Sequence, residues 1–89
     1  MYEWDEDKCI QNRRKHGIDF RSAEQFEWET AFVVVDDRAE YGELREIAYG
    51  FIGDRIHALT FTRRGANVRI ISLRKASRRE IRAYVEART

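Results

Sequence analysis

Between Asp54 and Glu80 the chain carries eight basic side chains and no acidic one: Arg55, Arg63, Arg64, Arg69, Arg74, Lys75, Arg78 and Arg79. The overall charge of +1 hides this. Residues 1–54 hold 7 Lys/Arg against 14 Asp/Glu, and residues 55–89 hold 10 against 2. An asymmetry of this size points to an anionic partner for the C-terminal part. Arginine supplies 14 of the 17 bases. Its planar fork matches two phosphate oxygens at once, whereas lysine offers a point charge. The anion that fits is a phosphodiester backbone.

Other chemistries are harder to assemble from this chain. No set of His, Cys or carboxylates has metal-ligand spacing, so a two-metal nuclease is not expected, and neither is a cofactor. Cys9 is the single cysteine; it rules out an internal disulfide and fits a reducing compartment. No apolar run approaches the roughly 18–20 residues of a membrane span, and no signal-peptide core is visible. A cytoplasmic protein is expected. The 89 residues are read as one domain, 1–89.

The elements that must position the bases follow from local pattern. Asp5 is an N-cap with Glu6 and Asp7 in the first turn; Arg13, Arg14, Lys15 and His16 fill the last turn, and Gly17 ends it. This is a helix. Asp19 caps a second, running through Phe20, Ala23 and Phe26 to about Trp28. Ala31–Val35 is a β-branched strand closed by Asp36 and Asp37. Arg45–Ile52 and Arg55–Arg63 pair across Gly53-Asp54, and Val68–Arg74 follows the Arg64-Gly65-Ala66-Asn67 turn. Connections this short give an antiparallel meander. Ser77 and Glu80 form a capping box ahead of a helix whose apolar face is Ile81, Tyr84 and Val85. The expected fold is α+β: two N-terminal helices, a four-stranded antiparallel sheet and a C-terminal helix.

Simple alternation puts Val68, Ile70, Ser72 and Arg74 on one face of the last strand and Arg69, Ile71, Leu73 and Lys75 on the other. The bases then crowd a shallow cleft where the sheet meets the last helix, which adds Arg78, Arg79 and Arg82. His57, Tyr84, Trp4 and Trp28 read as packing residues, and Cys9 as an inert buried thiol.

Four stretches, taken in order, carry a family resemblance: Tyr2-Glu3-Trp4-Asp5, the run from Arg14 to Phe20, Tyr41-Gly42-Glu43-Leu44-Arg45, and the run from Arg69 to Glu80. Together they resemble the BrnT-type toxins of bacterial type II toxin–antitoxin pairs, a compact branch of the RelE-like ribonucleases. The resemblance implies a RelE-like fold and an endoribonuclease that blocks translation and arrests growth. It also implies a cognate BrnA-like antitoxin with a ribbon-helix-helix domain, through which alone operator DNA is met and the operon co-repressed.

A metal-free ribonuclease needs a base for the 2′-hydroxyl, cations for the phosphorane and an acid for the leaving 5′-oxygen. On that pattern Arg64, Arg69, Arg74 and Arg78 are candidates for phosphate binding and transition-state stabilisation, Arg45 for orienting the phosphate, and His16 and Glu43 for proton transfer. Lys15, Ser72, Lys75, Arg78 and Arg79 are candidates for RNA contact. Two other classes stay open on the residues alone. One is a non-catalytic basic adaptor that holds nucleic acid, and the other an interaction module whose bases dock an acidic protein.

Overall fold

The computed structural model describes every residue except Ala39 and Tyr41, so the Tyr41–Arg45 stretch is described from Gly42 onward. Helix α1 spans Glu6–His16. Asp5 caps it, accepting a 2.9 Å hydrogen bond from the Asp7 backbone N–H. Gly17 ends it in the left-handed region at φ 74°, donating its N–H to the Arg13 carbonyl. That backbone suits a residue without Cβ.

The expected second α-helix is instead a 3-10 helix, Phe20–Gln25. Its apolar residues Phe20, Ala23 and Phe26 recur at a period of three, the 3-10 repeat and not 3.6. Phe26 already forms an isolated bridge to Ile52.

The sheet also differs from the expected one. It has five strands, β1 (Tyr2–Glu3), β2 (Phe32–Val35), β3 (Glu46–Ile52), β4 (Arg55–Arg64) and β5 (Asn67–Lys75), in the order β1-β5-β4-β3-β2. β2 to β5 form the antiparallel meander, but β1 pairs parallel with β5, making the sheet mixed. Two residues are too few to show alternation, so this strand leaves no periodic trace in the sequence.

A β-bulge changes the faces. Thr60 pairs with Ser72 but Phe61 pairs with Ile70, so Ile71 has no partner on β4. Directly opposed residues share a face. Ile70 and Leu73 therefore point together, with Leu59 and Phe61, while Arg69, Ser72 and Arg74 share the other face with Ala58, Thr60 and Thr62. Strict alternation had placed Arg69 opposite Ser72 and Arg74. The extra residue is the correction.

The first face carries the core. Phe20, Ala23, Phe26, Ala48, Leu59, Phe61, Ile70, Leu73 and Cys9 form one buried cluster, in which each large side chain contributes about 1.5–3 kcal/mol. Trp4 and Trp28 pack on its margin, as expected. On the second face, helix α2 (Arg78–Arg88) covers one end only. Its capping box is formed: Ser77 Oγ accepts from the Glu80 N–H and the Glu80 carboxylate accepts from the Ser77 N–H. Tyr84 is buried edge-on to Phe51 and donates its hydroxyl to the Thr30 carbonyl. Ile47, Thr60 and Thr62 of the same face are also buried, while Ser72 and Arg74 at its β5 side are half-buried and border a site.

Candidate nucleic-acid groove

Helix α1 lies along the edge of β5 that β1 leaves unpaired. Asn12, buried at 6% exposure, substitutes for the missing strand. Its amide donates to the Leu73 carbonyl at 2.8 Å and its carbonyl accepts the Leu73 N–H at 3.1 Å. A third bond from the amide, 3.0 Å to the Ile18 carbonyl, fixes the turn after the helix. The polar side of α1 is thereby held beside the edge of β5.

Between them runs a groove of about 390 Å³. Lys8, Gln11, Asn12, Lys15 and His16 form the helix wall. Thr60, Ile71, Ser72 and Arg74 form the sheet wall, and Arg38 reaches in from the loop after β2. Four permanent cations and an imidazole thus line one hollow, and among the described residues no carboxylate lines it.

Arg74 is the best-anchored of these. Its two Nη atoms meet the Glu80 carboxylate at 2.7 and 2.9 Å, and Tyr49 donates its hydroxyl to the same carboxylate at 3.2 Å. The Arg74 hydrogen bonds, with help from the Ser77 N–H, pull the Glu80 pKa down to about 2. Arg74 is correspondingly held above its usual value by Glu80. Burial and then Glu80 push the Tyr49 phenol up, so it stays a hydrogen-bond donor. Arg38 is gripped in the same bidentate way by Asp36, at 2.7 and 2.8 Å.

The His16 imidazole is driven below its usual value, first by burial, then by the positive charges of Lys15 and Arg74. Both neighbours disfavour a second proton on the ring, so His16 is predominantly neutral at neutral pH.

Of the residues expected from sequence, this groove gathers Arg74, His16, Lys15 and Ser72. The others lie elsewhere. Arg64 is exposed and 3.7 Å from Glu43, which also stands 3.9 Å from Arg45. Arg69 meets Glu3 of β1 at 3.6 Å. By register these three arginines extend along the same face as Arg74, and Arg69 is four β4 positions away, roughly 13 Å. Lys75 borders a separate hollow with Phe51 and Ile56. Arg78 and Arg79 are exposed on α2, outside the groove. The concavity therefore opens toward α1, not toward the last helix, because Glu80 draws Arg74 against α2 and closes that side.

Sequence reading passed over Lys8, Gln11, Asn12, Arg38 and Thr60. For the helix residues a signal existed: positions 8, 11, 12, 15 and 16 follow helical spacing and define one polar face. Nothing local marked Arg38 or Thr60.

Two further residues lie in the interior, as expected. His57 is buried, with Nδ1 2.9 Å from the Arg55 carbonyl oxygen. Cys9 is fully buried 3.4 Å from Asp19, and burial pushes its thiol up. Among the described residues no group of three or more His, Cys, Asp or Glu is placed to hold a metal ion, and no helix is long and apolar enough to cross a membrane.

The fold and the groove together define a small α+β domain with a cation-lined hollow beside a bulged strand. A search of curated proteins finds no match. The family model of the BrnT ribonuclease toxins of type II toxin–antitoxin systems matches residues 4–80, a span that contains every groove residue. The chain belongs to this family. It is an endoribonuclease toxin of a type II toxin–antitoxin pair, and an antitoxin is its partner.

Proposed function

We propose that the α1–β5 groove is where RNA is bound and cut, by attack of the substrate's own 2′-hydroxyl and without a metal ion. The observation that carries this reading is the meeting of His16 with Arg74, Lys15 and Ser72 in one hollow, where burial and the two cations hold the imidazole pKa down. His16 takes the proton of the 2′-hydroxyl. Arg74, clamped by Glu80, stabilises the charge that develops on the phosphorane oxygens. Ser72 hydrogen-bonds a non-bridging oxygen, and the Lys15 ammonium protonates the departing 5′-oxygen. Lys8 and Arg38 hold the neighbouring phosphates. The products are a 2′,3′-cyclic phosphate and a free 5′-hydroxyl. In this reading residues 1–89 are a single RelE-like toxin domain whose cleavage of RNA inhibits translation. A ribbon-helix-helix antitoxin neutralises it and brings it to operator DNA.

The test is cleavage of a defined RNA in EDTA with analysis of the new ends. His16→Ala and Arg74→Ala should each lower the rate about 100-fold or more. Because His16 must be neutral, the rate should fall with acid below its depressed pKa, under 6.5, and that limb should vanish in His16→Ala. Full cleavage by both variants excludes this groove.

A further inference from the structure

The groove leaves one conspicuous surface unused. β2 ends the sheet, and among the described residues its outer edge meets no other strand. The Asp36 N–H bonds the Arg45 carbonyl at 2.8 Å, which sets the phase of the antiparallel ladder: Phe32, Val34 and Asp36 direct their backbone groups to β3. Val33 and Val35 direct theirs outward. Val33 and Val35 are 38% and 56% exposed, and Leu44, two residues ahead of β3, is 62% exposed. Edge strands are ordinarily shielded by Lys, Pro or a bulge. This strand, Phe-Val-Val-Val, has none of them.

The surroundings define what can cover it. Residues 27–46 contain seven Asp/Glu against Arg38 and Arg45. Glu29 precedes the strand and Asp37 follows it, both exposed. Arg38 is committed to Asp36 and lines the groove. A second copy added antiparallel brings the Glu29 end of one chain against the Asp37 end of the other, acid on acid. An extended segment that alternates apolar and basic side chains satisfies both the valines and the carboxylates.

We propose that the outer edge of β2 is a docking site for the antitoxin, which adds a strand of alternating apolar and Lys/Arg side chains there. This rests on the antitoxin partnership of the family, not on the catalytic reading of the groove. Since Asp36 and Arg38 follow the strand directly, the docked segment passes close to the groove.

The experiment uses the full-length toxin and the full-length antitoxin from its own operon. In the parent complex the Val33 and Val35 amides should be protected from hydrogen exchange, although both exchange freely in the isolated toxin. Val33→Pro removes one outward donor at a position where an edge strand tolerates proline. It should weaken antitoxin binding about 100-fold while the free toxin cleaves RNA at the parental rate. Equal exchange of both amides in free and bound toxin overturns the proposal, and this reading needs no variant to fold. Antitoxin affinity within threefold of the parent for a folded Val33→Pro also overturns it. So does conversion of a toxin dimer to monomer by Val33→Pro with antitoxin affinity unchanged, which assigns the edge to a second copy.

Discussion

Arg74 and Glu80 are joined by two parallel hydrogen bonds of 2.7 and 2.9 Å across the junction of β5 and α2. The same carboxylate caps α2 through the Ser77 N–H. One side chain thus fixes both a helix terminus and the orientation of a guanidinium in the groove.

Replacing Glu80 by Gln keeps much of the shape but removes the charge. The loss of the ion pair should cost about 1–2 kcal/mol, read from denaturant midpoints, since the Gln carbonyl still accepts from the Ser77 N–H. The pH sign follows from a folded pKa of about 2 against the usual 4.5. A depressed carboxylate pKa stabilises the fold above pH 4.5, and this contribution is lost as pH falls toward 2. The parent should lose stability through that window more steeply than Glu80→Gln. Parallel curves for the two proteins argue that the pair contributes nothing.

Lys8, Lys15, Arg38 and Arg74 all border the groove. If each neutralises one phosphate of a single strand, log affinity against log salt should have a slope of about −3, at ~0.7 per contact. Lys8→Ala with Lys15→Ala should roughly halve it. A slope unchanged in the double variant moves the binding surface off α1.

Asn12 is the only residue of α1 that hydrogen-bonds to the Leu73 backbone. Asn12→Ala strands a buried N–H and C=O on β5, at a cost of about 1–3 kcal/mol. Asn12→Asp retains the acceptor for the Leu73 N–H but opposes the Leu73 and Ile18 carbonyls with negative charge, so it should be no better. Thermal unfolding checks both, and a midpoint within a degree of the parent contradicts the strand-substitute role.

Gly50 lies where a Cβ would sit 2.8 Å from Phe26 Cζ and 3.2 Å from the Glu27 carbonyl oxygen. The ring is in the core and the carbonyl belongs to the backbone, so neither yields easily. Gly50→Ala should destabilise by about 1–3 kcal/mol through overpacking. A neutral or stabilising result means that the Phe26 ring moves aside freely.

Local chemistry alone determined much of this protein. Asp5, Gly17, Ser77 and Glu80 satisfy backbone groups within a few residues of themselves, so both ends of α1 and the start of α2 were legible in the chain. The glycine turn at Gly53 joined β3 to β4 for the same reason. The excess of arginine over acid after Asp54 announced a polyanion partner, since charge is a property of composition. Arg74, His16, Lys15 and Ser72 could be named as candidates but not assembled. Their assembly depends on Asn12, which seats α1 on β5 across 61 residues of chain, and on Asp36, which turns Arg38 into the groove. The unpaired Ile71 adds Arg69 to the face that Ser72 and Arg74 already share. Bulges and long-range hydrogen bonds are set by competition between packing surfaces far apart in sequence. No periodicity or cap encodes that competition, and only the folded chain decides it.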